Sequence, residues 1–153
     1  PPPKRPVGRL VVGGAVAGLA FSNASVALVH GMSRPIGAHF HVPHGMSNAM
    51  LLPTVTEYSI PAAKARYAEC ARAMELADAS ISDNQAVERL LNELKQLNVD
   101  LGVPSMAEFG IDHQSYLNCL ETMAEQALAS GSPNNNPRVP DKTAVIALYK
   151  AAW

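Results

Sequence analysis

The chain has 153 residues, with 12 Lys and Arg against 13 Asp and Glu. That length supports one domain with a single core, and the near-neutral charge, with no polybasic run, leaves no footprint for nucleic acid or an anionic membrane surface. Apolar residues make up 48% and aromatics only 5%, a mix that favours helices packed through small side chains over a β-sandwich.

The opening PPPKRP cannot enter a helix interior, and residues 1–14 read as a flexible arm. Residues 15–32 are apolar almost all round, which predicts a helix covered on most sides. The same stretch resembles a signal peptide or a membrane span in composition. Ser22, Asn23 and Ser25 in mid-segment count against a span, and the lack of a disulfide framework counts against secretion. A buried helix is the preferred reading. Pro35 and Gly37 are expected to end this helix and open a loop reaching Pro43.

His44 to Tyr58 reads as a second buried helix, kinked or interrupted at Pro53. Pro61 suits the first turn of a third. There Ala63, Tyr67, Cys70, Met74 and Ala77 recur at spacings of 4, 3, 4 and 3, an amphipathic stripe. Ser82 and Gln85 form a capping box for a fourth helix, with Val87, Leu90, Leu91, Leu94, Leu97 and Leu101 inward and a stop at Gly102 and Pro104. Ser105 and Glu108 repeat the box pattern for a single turn. Asp112 caps a fifth helix, with Tyr116, Leu117, Leu120, Met123, Ala124, Ala127 and Leu128 inward. SGSPNNNPRVP is a turn-rich loop, and Asp141 caps a last helix carrying Val145, Ile146, Tyr149 and Trp153. No stretch alternates long enough to need a sheet, so the expected fold is all-α. Cys70 and Cys119, each within an apolar helical pattern, are expected to be free, buried thiols in a reducing, cytoplasmic setting.

Four of the five histidines lie in HGMSRPIGAHFHVPHG, residues 30–45. His30 and His44 stand at two helix ends joined by a turn that brings them together. They are either a pair of transition-metal ligands or a dipole-stabilising histidine and a capping one. His39 and His41, on the connection, are exposed or substrate-facing, and His113 lies on the surface. No Ser/His/Asp arrangement, paired-cysteine zinc motif or phosphate loop is present; VGGAVAG lacks the order and the preceding strand that a dinucleotide loop needs.

Residues 17–53, AGLAFSNASVALVHGMSRPIGAHFHVPHGMSNAMLLP, resemble the signature region of the iron-containing alcohol dehydrogenases. The shared features are Ala-Phe-x-Asn-Ala, Val-His-x-Met, Pro-x-Gly, and Pro-His-Gly followed by Asn-Ala and Leu-Pro. SGSPNNNPRVPDKTAVIALYKAAW is similar to the family's closing loop and last helix, so the likeness runs from about residue 15 to the C-terminus. It implies the helical, metal-binding C-terminal domain (residues 15–153, incomplete) of an enzyme that moves a hydride between an alcohol or aldehyde and NAD or NADP. The metal, Fe(II) or Zn(II), would sit on three His and one Asp. His30 and His44 match the last two histidine ligands. The Asp-x-x-x-His pattern that supplies the others is absent upstream of His30, as is the nucleotide-binding domain. Arg34 stands where many members carry a further histidine near nicotinamide and substrate. It faces a carboxylate or a cofactor phosphate, or turns outward as a surface cation. His39 and His41 complete the substrate-proximal candidates, and no residue is assigned as catalytic. The resemblance implies a chain inactive by itself that forms homo-oligomers or lacks its N-terminal domain. The other reading is a non-catalytic helical interaction module derived from the same family.

Overall fold

The computed structural model describes residues 7–153, with side chains from residue 11 onward. In chain order the helices are α1 (Val7–Ala24), α2 (Leu28–Phe40), α3 (His44–Ala73), α4 (Asp83–Asp100), α5 (His113–Ala129), a 3-10 turn (Ser132–Asn135) and α6 (Lys142–Ala151). The described residues contain no strand, and the all-α expectation holds.

The local signals act where the sequence puts them. Ser82 and Gln85 close a reciprocal capping box at α4. Asp112 accepts from the Ser115 backbone at 2.8 Å, and Asp141 from that of Ala144 at 2.7 Å. In a single turn the Ser105 N–H donates to the Glu108 carboxylate and the Glu108 N–H to the Ser105 hydroxyl. Each supplies partners for backbone N–H groups that a helix start leaves unpaired.

The structure departs from the sequence reading in four places. The helix expected over 15–32 breaks at Ser25, whose φ of 65° is left-handed, and α1 and α2 meet at 98°. The first of them begins at Val7 and so takes in residues 7–14 of the expected arm; PPPKRP lies outside the described residues. Helix α2 does not end at Pro35 but runs through it to Phe40. An interior proline costs about 3 kcal/mol, but Pro35 and Ile36 are both buried in the core, and full burial of an Ile-sized side chain is worth about 1.5–3 kcal/mol. Helix α3 passes through Pro53; its break falls at Ala63 (φ −144°, ψ 35°), two residues beyond Pro61.

That break turns the face of the next segment, so the buried positions are Ala68 and Ala71, while Cys70 is exposed. Cys70 is therefore not a core thiol, and Cys119 is only half-buried. On α4 the buried stripe stops early: Leu97 and Leu101 face solvent.

The main core gathers Leu28, Met32 and Ile36 of α2, Met50, Leu51 and Val55 of α3, Tyr116, Leu120 and Met123 of α5, and Val145 and Tyr149 of α6. A smaller cluster joins the far half of α3 to α4 through Ile60, Ala68, Ala71, Ala86, Val87 and Leu90. Arg72 ties that hairpin by donating to the Asp83 carboxylate at 2.8 Å and the Ile81 carbonyl at 3.2 Å. Helix α1 stands apart, with Val11, Val12, Val16, Leu19 and Phe21 exposed. No single described helix is long and apolar enough to cross a membrane; α1 and α2 pass that test together only as the bent pair.

Helix α2 also depends on the closing loop. Pro133, buried in the 3-10 turn, lies so close to Gly31 that a Cβ there would meet its ring carbons at 3.0 Å. Gly31→Ala should gain up to about 1 kcal/mol in helix propensity but lose about 1–3 kcal/mol by overpacking. The expected net result is a lower urea midpoint at unchanged m-value. A higher midpoint would show that the loop yields freely.

Candidate metal centre

Helix α2 closes with His41 in the left-handed region (φ 57°), its N–H bonded to the Gly37 carbonyl. The chain then doubles back so tightly that a Cβ on Gly37 would stand 3.2 Å from the Val42 carbonyl. Three residues later α3 begins at His44, alongside the start of α2. Helix α2 runs out from His30 to Phe40, and residues 41–43 lead back along it, so that His44, the first residue of α3, comes level with the opening turn of α2.

The two imidazoles face each other. His30 Nδ1 and His44 Nε2 are 3.1 Å apart, with ring centroids at 5.0 Å, and Phe21 of α1 stacks on the outer side of His30 at 6.3 Å. Partial burial, then the facing His44, then the charge of Arg34 hold His30 below the usual imidazole pKa, which favours the neutral form, the form in which an imidazole can ligate a metal.

The surroundings of His44 are polar and ordered. The Ser33 hydroxyl, fully buried, lies 3.2 Å from His44 Nδ1 and 3.2 Å from the His30 carbonyl. Asn48 Nδ2 lies 3.2 Å from His44 Nε2, while Asn48 Oδ1 is buried without a partner. Ser47 donates to the backbone carbonyls of His44 (3.0 Å) and Ser33 (3.4 Å). Sequence reasoning missed Ser33, Ser47 and Asn48. The i, i+4 spacing from His44 to Asn48 was a readable signal. The approach of Ser33 to a ring eleven positions away depends on the turn and was not.

The other candidates lie apart from the pair. Arg34 is exposed one turn along α2 from His30, with no ion pair among the described residues. His39 is nine residues on from His30, about two and a half turns, and so on the opposite face; its Nε2 meets Gln126 Oε1 of α5 at 3.0 Å. His41 is exposed at the helix end. His113 is on the surface as expected, packed on Trp153 at 4.6 Å.

Two nitrogens on one tetrahedral zinc, at about 2.0–2.1 Å each, stand roughly 3.3–3.4 Å apart. The observed 3.1 Å needs a parting of only tenths of an ångström. The donor set therefore fits two positions on a borderline transition cation. Among the described residues no three His, Cys, Asp or Glu side chains come together, and residues 1–10 contain none of these types.

An all-helical domain with two imidazoles facing each other between the first turns of two helices has counterparts among known proteins. The pattern of the Fe-containing alcohol dehydrogenase family, C-terminal region, matches residues 5–153, and the chain belongs to that family. It is 32% identical over 139 residues to the NADPH-dependent butanol dehydrogenase of Clostridium saccharobutylicum, covering 90% of this chain and 35% of that protein. With the lactaldehyde reductase of Escherichia coli K12 it shares 32% identity over 145 residues, 94% of this chain and 37% of the other. The crystal structure of a 1,3-propanediol oxidoreductase superposes with a TM-score of 0.82 at 31% identity, covering 90% of this chain and 35% of that one. The chain thus spans about a third of the length of these relatives and corresponds to their C-terminal portion.

The lowered pKa of His30 gives a directional expectation for the metal-free chain. The folded state takes up the His30 proton less readily than the unfolded state. His30 therefore leaves stability unchanged above the ordinary imidazole pKa, and lowers it as pH falls from there to the depressed value. NMR titration should place His30 below about 6.5, and Arg34→Ala should move it part of the way back up. A His30 midpoint at or above the ordinary value would contradict the structure.

Proposed function

We propose that this chain is the metal-binding helical part of an NAD- or NADP-dependent alcohol dehydrogenase, with His30 and His44 as two ligands of Fe(II) or Zn(II). The observation that carries this reading is the 3.1 Å approach of their facing nitrogens between the first turns of α2 and α3. Small alcohols and aldehydes are the substrate class that the names of the relatives support: butanol for one, lactaldehyde for another. When bound, the cation supplies Lewis acidity to the alcohol oxygen. The part played by this chain is to hold two neutral imidazoles at the ends of two packed helices and to set a cation, Arg34, one turn away. Arg34 is assigned to an anionic group on substrate or cofactor. His39 is engaged with Gln126 and His41 ends the helix, so neither adds to this assignment.

A tight centre takes three or four protein ligands, and these residues offer two. The nucleotide-binding domain of the proposed enzyme would lie outside this chain, which covers 35% of the butanol dehydrogenase it resembles. Two unpaired cysteines suit a reducing, cytoplasmic setting.

The 153-residue chain alone should leave NADH and NADPH at background rates with short aldehydes. Substituted for the corresponding C-terminal part of E. coli lactaldehyde reductase, it should give metal-dependent turnover that His44→Ala abolishes. A folded chimera that binds nucleotide and metal without turnover, or one indifferent to His44→Ala, would refute the assignment.

Helix α1 gives a second expectation. Val12 is 63% exposed, Val16 59% and Leu19 67%. Covering a few hundred Å² of such surface is worth several kcal/mol at about 25 cal/mol per Å². The chain alone is expected to self-associate, and Leu19→Glu to disperse it. Light scattering that finds a monomer at high concentration would remove this idea.

A further inference from the structure

We infer that the Ser33 hydroxyl fixes the tautomer of His44, keeping the proton on Nδ1 so that Nε2 presents its lone pair to a cation. This rests on the reading of His44 as a ligand, and names a positioning residue for it.

The hydrogen bonds around the ring have few consistent solutions. Ser33 has one hydroxyl proton, and the His30 carbonyl 3.2 Å away takes it. The oxygen is then free to accept, and we assign His44 Nδ1 at 3.2 Å as the donor. A neutral imidazole with its proton on Nδ1 has a bare Nε2. Two donors converge there: His30 Nδ1 at 3.1 Å and Asn48 Nδ2 at 3.2 Å. The opposite tautomer would set the Asn48 amide N–H against a ring N–H.

Turning the Asn48 amide over does not rescue that alternative. Its oxygen is already buried and unpartnered. A flip would place an NH₂ group there, and orphaned buried N–H groups are rarer than under-satisfied carbonyls. The Ser33 side and the Asn48 side of the ring thus specify the same proton position from opposite directions.

The effect is one of orientation as well as protonation. Ser33 is fully buried on α2, and α2 is packed into the main core, so its oxygen is a fixed point against which the His44 ring is aligned. An imidazole ligand whose second nitrogen donates to such an acceptor is held in place and made more basic, and loss of that partner commonly weakens metal binding by about 10–100-fold.

The test uses the metal-free 153-residue chain and long-range proton–nitrogen NMR at a pH where His44 is neutral. The unaltered chain should show His44 protonated on Nδ1. Ser33→Ala should move population to the Nε2–H form and lower Co(II) affinity about tenfold. Ser47→Ala serves as control, because Ser47 bonds only to the backbone carbonyls of His44 and Ser33; it should leave the tautomer unchanged. An Nε2–H signal in the unaltered chain, an unchanged tautomer in Ser33→Ala, or the same shift in Ser47→Ala would each overturn the inference. The ligand assignment fails separately, if His44→Ala leaves Co(II) affinity unchanged while the tautomer still responds to Ser33.

Discussion

The burial of α2 is the constraint on which the rest of the structure depends. Leu28, Met32 and Ile36 are fully inaccessible, and α3, α5, α6 and the closing loop all reach this one helix. Two tyrosines fasten it. Tyr116 of α5 donates its hydroxyl to the Tyr149 carbonyl at 2.9 Å, and Tyr149 of α6 donates in turn to the Met32 carbonyl at 2.8 Å. Burial keeps both phenols protonated far above their usual range, so they act as permanent donors. Just before α2 begins, Asn135 donates to the Val26 carbonyl at 3.0 Å. Asn136 joins the same loop to α3 by donating to the Ser59 hydroxyl at 3.0 Å. His30 lies between these fastenings, which is why a half-exposed side chain has a defined place.

What was legible in the sequence was what neighbouring residues decide among themselves. Caps at Ser82, Asp112 and Asp141 need only a side-chain oxygen three positions before a backbone N–H, and all three formed. The course of α2 past Pro35 was hidden, because the compensating contacts come from α5 and α6, a hundred residues away in the chain. Cys70 was misplaced for a related reason. A stripe with helical periodicity assumes one unbroken helix, and the backbone turn at Ala63 rotates the face that meets α4. Ser25 gave no warning at all: a non-glycine residue in the left-handed region is recognised only once the neighbouring helices have fixed their directions.

The histidine pair shows the same division. His30 and His44 were expected to meet because one helix would end at His30 and a loop would lead to His44; they meet instead because His30 lies in the opening turn of α2, which runs on to Phe40, and residues 41–43 bring the start of α3 back beside it. The separation of their nitrogens, and the ring of Ser33, Asn48 and Ser47 about them, arises from how deeply α2 and α3 are packed together. The family likeness suggested two imidazoles as ligand-type residues, while the packing sets how their nitrogens face each other. Arg34 remains the residue whose surroundings say least, since its neighbours among the described residues place no carboxylate opposite it.

The last residue of the chain is also its one tryptophan. Trp153 lies against Tyr116, with ring centroids 4.7 Å apart, and against His113 at 4.6 Å. Tyr116 is the same side chain that anchors α6. The indole is thus an optical gauge fitted to the joint between α5 and α6. Its emission should report whether the tyrosine linkage to α2 is closed, and so whether the floor beneath the two imidazoles is intact, without any label being introduced.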